Sequence, residues 1–347
     1  MEKMKALLVP KGQAESLRKQ LLKAGYMDIR RKVKVRGDDL EIPVTDTIPP
    51  EFSPFPCIQQ EEPEYYENAG FLHDQMQKYL EEDGLDLLPG GWQILGDVVI
   101  VTLHPDLYPV RSELGDALLT MHPYCRSVYL DEGIEGELRQ PNRELIAAQD
   151  GVDNPALAIH TENVCRFKLD VTKVMFSKGN LNERIRMGKL GRGEVVVDMF
   201  AGIGYFTIHM AVHARPARII AIELNPESYR FLVENIKLNH VEDIVEPVQG
   251  DCAKKTPVSV ADRVVMGYGG NTHHYLPQAI RALKPGGVLH YHEIVPEKLM
   301  PDRSFERIHS KAREQGRKAE ILNWHRVKKY SPGVWHVVFD AMIDGDN

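Results

Sequence analysis

Three acidic residues stand at the ends of successive apolar runs in the C-terminal half of the chain. Asp198 follows Val195-Val-Val, Glu223 follows Arg218-Ile-Ile-Ala-Ile, and Asp251 lies in Gln249-Gly-Asp-Cys252. Gly202 and Gly204 come just after the first acid and permit a tight turn with close approach of a ligand to the backbone. The third glycine of a G-x-G-x-x-G fingerprint is replaced by Thr207, and an acid at the first strand end would repel a pyrophosphate. A carboxylate ending the second strand can accept both hydroxyls of a ribose. Asp251 can face an adenine amino group. Three acids around a glycine turn suit S-adenosylmethionine, which carries a sulfonium and an ammonium, and suit NAD poorly. Any one of these acids alone reads equally well as a helix cap or a solvated loop residue.

Other chemistry-bearing residues say less. His290-x-His292 on a strand places two imidazoles on one face, which can bind zinc. No third ligand has suitable spacing, so no metal is assigned. His273-His274 reads as a loop and helix-cap pair. Cys57, Cys125, Cys165 and Cys252 are far apart and match no zinc or redox spacing, which fits a reduced, cytoplasmic compartment.

The elements that must position the acids follow from periodicity. From about residue 176 the pattern alternates strand and helix. Strands are expected at 195–198, 218–223, 245–248, 263–266, 288–292 and 334–339. Helices are expected at 205–212, 226–238, 274–283 and 305–315. That order implies an α/β fold with an open, mostly parallel, doubly wound sheet, in which ligands bind beyond the carboxyl ends of the strands. Residues 91–175 read as a β-rich α+β domain, with a strand over 92–103, a helix over 116–121, shorter strands at 128–130 and 158–160, and alternation over 165–171. Residues 1–46 read as a small N-terminal α/β module. Its strand is 5–10, its helix runs from Gln13 to Ala24 with Gly25 as the stop, and two short strands follow at 33–35 and 40–44. Residues 47–90 read as an acidic linker, extended and solvated over 47–70 through Ile48-Pro-Pro-Glu-Phe-Ser-Pro-Phe-Pro56 and Glu61-Glu-Pro-Glu64, and then an acidic helix over 71–87.

The 347 residues suffice for several domains, and 43% apolar with 27% charged residues is ordinary for a soluble protein. No apolar run approaches the roughly 18 residues of a membrane span, and the N-terminus lacks the apolar stretch of a secretory signal. The net charge of −7 argues at face value against a nucleic-acid partner. Its distribution argues otherwise. Residues 1–47 hold 11 Lys+Arg against 7 Asp+Glu, residues 48–90 hold 1 against 10, and residues 301–335 hold 9 against 4. Two basic regions, Arg30 to Arg36 and 301–335, therefore flank one acidic segment. The second is expected to span a helix with its cations at partly helical spacing.

The stretch Asp198 to Thr207 resembles the first motif of class I S-adenosylmethionine-dependent transferases, which implies a Rossmann-like catalytic domain over 176–347. His160-Thr-Glu-Asn163, Phe167-Lys-Leu-Asp170, Phe176-Ser177, Glu183-Arg-Ile-Arg186 and Glu234-Asn-Ile-Lys-Leu-Asn239 narrow the resemblance. Together they resemble the family that holds the tRNA guanosine-37 N1-methyltransferases and the wybutosine-pathway aminocarboxypropyltransferases. The methyltransferase branch carries Asn-Leu/Pro-Pro after the fourth strand. This chain has Met266-Gly-Tyr-Gly-Gly270 there, with Gly267 in the place of the Asn and Gly269 in that of the Pro. Met266-Gly-Tyr268, Thr272-His273, His290-Tyr-His292 with Val295 to Pro301, and Ser331 to His336 resemble the archaeal aminocarboxypropyltransferase branch.

The resemblance implies transfer of the 3-amino-3-carboxypropyl group of S-adenosylmethionine to C7 of 4-demethylwyosine at position 37 of tRNA(Phe), with release of methylthioadenosine. Guanosine-37 N1-methylation is the alternative within enzymes, and an RNA-binding protein with a degenerate cofactor fold is the alternative outside them. It implies a cofactor-binding set of Ser177, Arg184, Asp198, Phe200, Gly202, Gly204, Glu223, Leu224, Asp251, Cys252 and Gly267. Ser177 and Arg184 should contact the methionine end, Arg184 by binding its carboxylate bidentately, with a phosphate contact or a structural salt bridge as the alternative for Arg184 and Arg186 a similar candidate. His290, His292 and Glu293 are candidates for accepting the proton lost by the acceptor carbon, and solvent is an alternative. The expected partner is the anticodon region of tRNA(Phe), with the small N-terminal module as a tRNA contact. No membrane partner is expected, and the chain is expected to be a monomer.

Overall fold

The structure, a computed structural model, describes residues 4–23, 26–28, 31–45, 48, 54–64, 69–136 and 140–345. Gly25, Arg30 and residues 49–53 of the proline-rich stretch lie outside them. The chain divides into two compact units, Met1–Ile94 with Val98–Asp131 and Glu144–Asp153, and Leu95–Asp97 with Glu132–Arg143 and Asn154–Asn347.

In the first unit, β1 (Lys5–Pro10), α1 (Lys11–Lys23), β2 (Lys34–Arg36), β3 (Asp39–Pro43) and β4 (Cys57–Gln59) build an antiparallel sheet of order β2-β3-β1-β4. Leu17 and Leu21 of α1 close a small core over Leu7, Val9, Ile42 and Val44. β4 corrects the expectation of a solvated linker, because Cys57–Gln59 pairs with β1. The glutamates beyond it turn back onto the basic cluster. The Glu64 carbonyl accepts from the Lys32 amide at 2.7 Å, and the Lys34 ammonium donates to the Glu62 carbonyl at 2.8 Å. Arg31, expected within a nucleic-acid patch, is 3% exposed and donates to the Lys5 and Val44 carbonyls.

The chain continues with α2 (Ala69–Met76), α3 (Glu82–Leu85) and α4 (Arg111–Met121), and a sheet of order β5-β6-β7-β8 is formed by Gln93–Leu95, Val98–Val101, Ser127–Glu135 and Gln140–Ala148. The single helix expected over 71–87 is two. At about 100° per residue, Met76 and Leu85 would point to opposite sides of one helix. The break lets both enter one core with Leu72, Leu114 and Leu118. The single strand expected over 92–103 is split at Gly96, whose φ of +60° turns the chain between β5 and β6.

In the second unit the hairpin β9 (Leu157–Glu162) and β10 (Cys165–Asp170) precedes α5 (Leu181–Met187). The sheet strands are β11 (Val195–Asp198), β12 (Arg218–Glu223), β13 (Val245–Gln249), β14 (Ala261–Met266), β15 (Leu283–Pro296), β16 (Arg317–Ser331) and β17 (Val334–Gly345). The helices between them are α6 (Thr207–His209), α7 (Pro226–Leu238), α8 (Cys252–Lys255), α9 (Leu276–Ala282) and α10 (Asp302–Arg313). The sheet order is β13-β12-β11-β14-β15-β17-β16. Its first five strands are parallel and its last two pairings antiparallel. Chain order reverses between β11 and β14, and the crevice at a doubly wound sheet's carboxyl edge opens at such a point.

Two expectations need correction. α6 is one short turn that runs into a π-helical turn over Met210–Ala214. The basic region 301–335 is not one helix face, since α10 ends at Arg313 and the 15-residue edge strand β16 follows.

Candidate cofactor site

The turn after β11 is built from inside. Asp198 is 1% exposed, and its carboxylate accepts from the Thr207 hydroxyl at 2.7 Å and the Phe200 amide at 3.3 Å. Burial pushes its carboxyl up to about 6. Asp198 thus ties the two ends of the glycine turn together, rather than standing in the open crevice as its type suggests. Gly202 (φ +58°) and Gly204 (φ +103°) occupy backbone conformations that L side chains rarely adopt. A Cβ at Gly202 would also lie 2.5 Å from the Tyr205 ring.

Glu223 ends β12 beside this turn. Its carboxylate accepts from the amides of Gly202 and Asn225, each at 2.7 Å, and burial raises its pKa. Leu224, next to it, is 57% exposed, an apolar surface left open at a strand end. The Gly250 amide donates to the Glu223 carbonyl at 2.9 Å, which brings the β12 and β13 ends together. Asp251 caps α8, accepting from the Ala253 amide at 2.8 Å. Cys252 is 5% exposed, and burial pushes its thiol up to about 12, so it is a packing group and not a nucleophile. Gly202, Gly204, Glu223, Leu224, Asp251 and Cys252 therefore gather at the carboxyl ends of three adjacent strands. Gly267 closes the other side at the end of β14. A Cβ there would lie 2.6 Å from the Phe206 ring. Phe200 stacks on Tyr268 (5.4 Å between centroids) and meets Tyr275 edge-on at 5.3 Å, an aromatic cluster at the β11 and β14 ends.

Ser177 and Arg184 are brought together by the turn into α5. Arg184 is 1% exposed, and its Nη1 donates to the Ser177 carbonyl at 3.0 Å. Its Nε and Nη2 are both 2.6 Å from the two oxygens of Glu162 on β9. The side-on fork expected for a ligand carboxylate is therefore taken by Glu162, leaving one N–H on each terminal nitrogen. Sequence reasoning singled out the stretch containing Glu162 without giving that residue a role. It also left unexplained Asn235 and Asn239, spaced by four on α7. Asn235 accepts from the Lys168 amide at 2.7 Å and donates to the carbonyls of Lys168 (3.1 Å) and Ile203 (3.0 Å). Asn239 makes the same kind of clamp on Arg166. One helix face thus anchors β10 and the glycine turn together.

The proton-acceptor candidates lie inside the fold. His290 donates from Nδ1 to Asp340 at 2.5 Å, and its Nε2 accepts from Arg263 at 2.6 Å. Glu293 is 1% exposed and is held by Ser304 at 2.5 Å, Arg303 at 2.7 Å and Arg307, which pins α10 to β15. His292 is fully buried, with its Nδ1 3.0 Å from His336 and its ring beside Phe206, and burial pushes it down to about 4. Arg186, a second carboxylate-binding candidate, is committed to Glu183 at 2.7 Å and Asp340 at 2.8 Å. Burial pushes the Glu183 carboxyl up, but hydrogen bonds from His325 and Arg186 overcome that and hold it at about 2. These residues form a buried charge network that fastens α5 to the sheet.

Comparison with known proteins places this arrangement. The TRM5/TYW2 methyltransferase domain matches residues 158–322, the TYW2 N-terminal domain residues 72–151 and the tRNA methyltransferase 5 N-terminal domain residues 6–52. The chain is 40% identical over 273 residues to the tRNA(Phe) (4-demethylwyosine(37)-C(7)) aminocarboxypropyltransferase of Pyrococcus horikoshii, covering 78% of this chain and 96% of that one. It is 33% identical over 346 residues to the tRNA (guanine(37)-N(1))-methyltransferase Trm5b of Pyrococcus abyssi, covering 97% and 98%. The crystal structure of P. horikoshii TYW2 in complex with MeSAdo superposes with a TM-score of 0.70 at 38% identity, covering 80% of this chain and 99% of that one. A doubly wound domain with its acids at three strand ends, and relatives matched over nearly their whole length, make this chain a member of the TRM5/TYW2 family of S-adenosylmethionine-dependent tRNA-modifying enzymes.

Proposed function

We propose that this protein transfers the 3-amino-3-carboxypropyl group of S-adenosylmethionine to C7 of 4-demethylwyosine at position 37 of tRNA(Phe), in the wybutosine pathway, and releases methylthioadenosine. The observation that carries the choice of branch is Gly267. The methyltransferase pattern has an Asn at this place, and here the ring of Phe206 fills the volume its side chain would need. The P. horikoshii relative at 40% identity is named for this reaction, and its ligand, MeSAdo, corresponds to the by-product.

The cofactor's sulfonium already activates its neighbouring carbons, so the protein's work is positioning. Glu223 takes the ribose hydroxyls, Leu224 and Cys252 pack the adenine, and Asp251 meets its amino group. The turn at Gly202 and Gly204 lets the sulfur approach the backbone. Ser177 and Arg184 hold the methionine arm, with the two remaining N–H groups of Arg184 as donors to its carboxylate. An electron-rich ring carbon of the acceptor attacks the γ-carbon, the S–C bond breaks, and the sulfur leaves as a neutral thioether. The ring carbon then loses its proton. With His290, His292 and Glu293 committed inside the fold, that proton leaves to water or to a group the tRNA brings.

The segments divide this work. Residues 176–347 bind the cofactor, 91–175 form the β-rich domain, 47–90 connect, and 1–46 meet the tRNA whose anticodon region is the substrate. The enzyme works as a cytoplasmic monomer. The deciding experiment incubates tRNA(Phe) carrying 4-demethylwyosine and, in parallel, tRNA(Phe) with an unmodified guanosine 37, with carboxyl-labelled or methyl-labelled S-adenosylmethionine. Carboxyl label in tRNA with methylthioadenosine released is expected. Methyl label in tRNA with S-adenosylhomocysteine released would overturn the reading in favour of guanosine-37 methylation.

A further inference from the structure

One half-buried cation of the basic C-terminal region reaches a residue of the proposed cofactor set. Lys328, on the edge strand β16, reaches back to the turn before α5. Its Nζ donates to the Ser177 hydroxyl at 2.6 Å. The same serine's carbonyl accepts from Arg184 Nη1 at 3.0 Å. Two cations from distant parts of the chain thus meet on one residue, on the side where the methionine arm is placed.

The placement is held from both sides. Three residues earlier on β16, His325 bonds the Glu183 carboxylate at 2.9 Å, which fixes the strand against α5 next to Arg184. Gly179 leaves room for the lysine stem, since a Cβ there would lie 2.6 Å from Lys328 Cδ. The local charge balance explains why a second cation is useful. Arg184 faces Glu162 through two 2.6 Å bonds, so the pair is neutral overall. A ligand carboxylate arriving there finds donors but no net positive charge. An ammonium on the adjacent serine adds a charged donor, and charge-assisted bonds are the stronger kind.

We propose that Lys328 is a binding residue for the carboxylate of the aminocarboxypropyl arm, acting with Arg184 across Ser177. The inference rests on the cofactor assignment proposed above. It makes β16 part of the cofactor pocket and gives the arm a fixed end, which limits which carbon of the sulfonium faces the acceptor.

The test compares ligands with and without the arm. Calorimetric Kd values for S-adenosylmethionine, S-adenosylhomocysteine and methylthioadenosine are measured on the wild type, Lys328→Met and Lys328→Arg, without tRNA. The first two ligands carry the carboxylate and the third does not. In Lys328→Met the first two are expected to weaken about tenfold while methylthioadenosine stays within twofold, and Lys328→Arg should recover most of the loss. Gly179→Ala, which keeps the lysine but displaces its stem, should copy the Met variant in direction. Equal weakening of all three ligands would mean that Lys328 only shapes the turn, and would overturn the proposal. Unchanged ligand binding with weaker tRNA binding would overturn it in favour of an RNA-phosphate contact. Failure of the wild type to bind S-adenosylmethionine would instead overturn the cofactor assignment itself, and this proposal with it.

Discussion

Asn235→Ala is a direct test of how the glycine turn is held. The side chain is fully buried and makes three hydrogen bonds, all to backbone: it accepts from the Lys168 amide and donates to the Lys168 and Ile203 carbonyls. Each such bond contributes a net of about 1 kcal/mol, and a buried donor left without a partner costs about 1–3 kcal/mol. Full loss of the clamp therefore costs about 4 kcal/mol, and about 2 kcal/mol if water enters and replaces the amide. Asn239→Ala is the internal control. It removes two similar bonds to Arg166, at an exposed strand edge where water substitutes readily, and one to the Asn235 carbonyl at 2.7 Å, so about 1 kcal/mol is expected. Urea unfolding read at constant m value measures both. Because the Ile203 carbonyl belongs to the glycine turn, Asn235→Ala should also weaken S-adenosylmethionine binding, and Asn239→Ala should not. An Asn235→Ala loss below about 1 kcal/mol, or one equal to that of Asn239→Ala, would refute the argument that burial makes this clamp the stronger of the two.

Three further outcomes are expected. Gly267→Asn with Gly269→Pro should lower cofactor affinity through the Phe206 clash and shift label from carboxypropyl towards methyl, read as the ratio of methylthioadenosine to S-adenosylhomocysteine; an unchanged ratio would remove this loop as the determinant. Stability should fall as pH drops from about 6.5 to 4, because burial pushes His209 and His292 down to about 4 and also lowers His160 and His290, so the unfolded chain then binds more protons; Asp198, pushed up to about 6, and Glu223, also raised by burial, oppose this, but four histidines act against two carboxylates. A urea midpoint that is flat or rising on acidification, or one whose slope is unaffected by His292→Gln, would contradict that sum. Replacing the exposed Arg313, Lys318 and Lys329 by alanine should reduce the salt slope of tRNA binding by about 1 for each phosphate met, while Arg317, whose guanidinium is spent on the carbonyls of Ile280, Leu283, Lys284 and Ile343, is not expected to matter except through stability.

The parts of the site that could be read from sequence are those fixed by strand order. Asp198, Glu223 and Asp251 end three successive strands, and a doubly wound sheet brings such ends together whatever the side chains do. Side-chain direction was not legible. Asp198 turns inward because Thr207 and the Phe200 amide offer it partners across nine residues, a pairing with no local signature. The same holds for Arg184, whose partner Glu162 sits 22 residues earlier on a hairpin. β16 was missed for a different reason. Its alternation holds only from Arg317 to Ile321, and register shifts at Ile321/Asn323, Arg326/Lys328 and Lys329/Ser331 then scramble the period of two. Without the strand, its cations read as one basic surface.

The net charge of −7 conceals two basic ends, and several of their cations are already paired. Arg303 and Arg307 are spent on Glu293, Arg326 pairs with Glu297, Lys311 with Glu314, and Arg31 is sealed among carbonyls. Several of the cations that made both ends look like nucleic-acid surfaces therefore already have partners within the protein. On the proposed reading, Lys328 is withdrawn from that surface as well and assigned to the arm of the cofactor. Adenosine would then be held at the ends of β12 and β13, and the arm by the turn before α5 and by β16, with the sulfur between them at Gly202 and Gly204. A ligand held at both ends has little freedom about its central atom. Which carbon reacts then follows from where the far end is fixed, so the position of one edge-strand lysine bears directly on the reaction the fold performs.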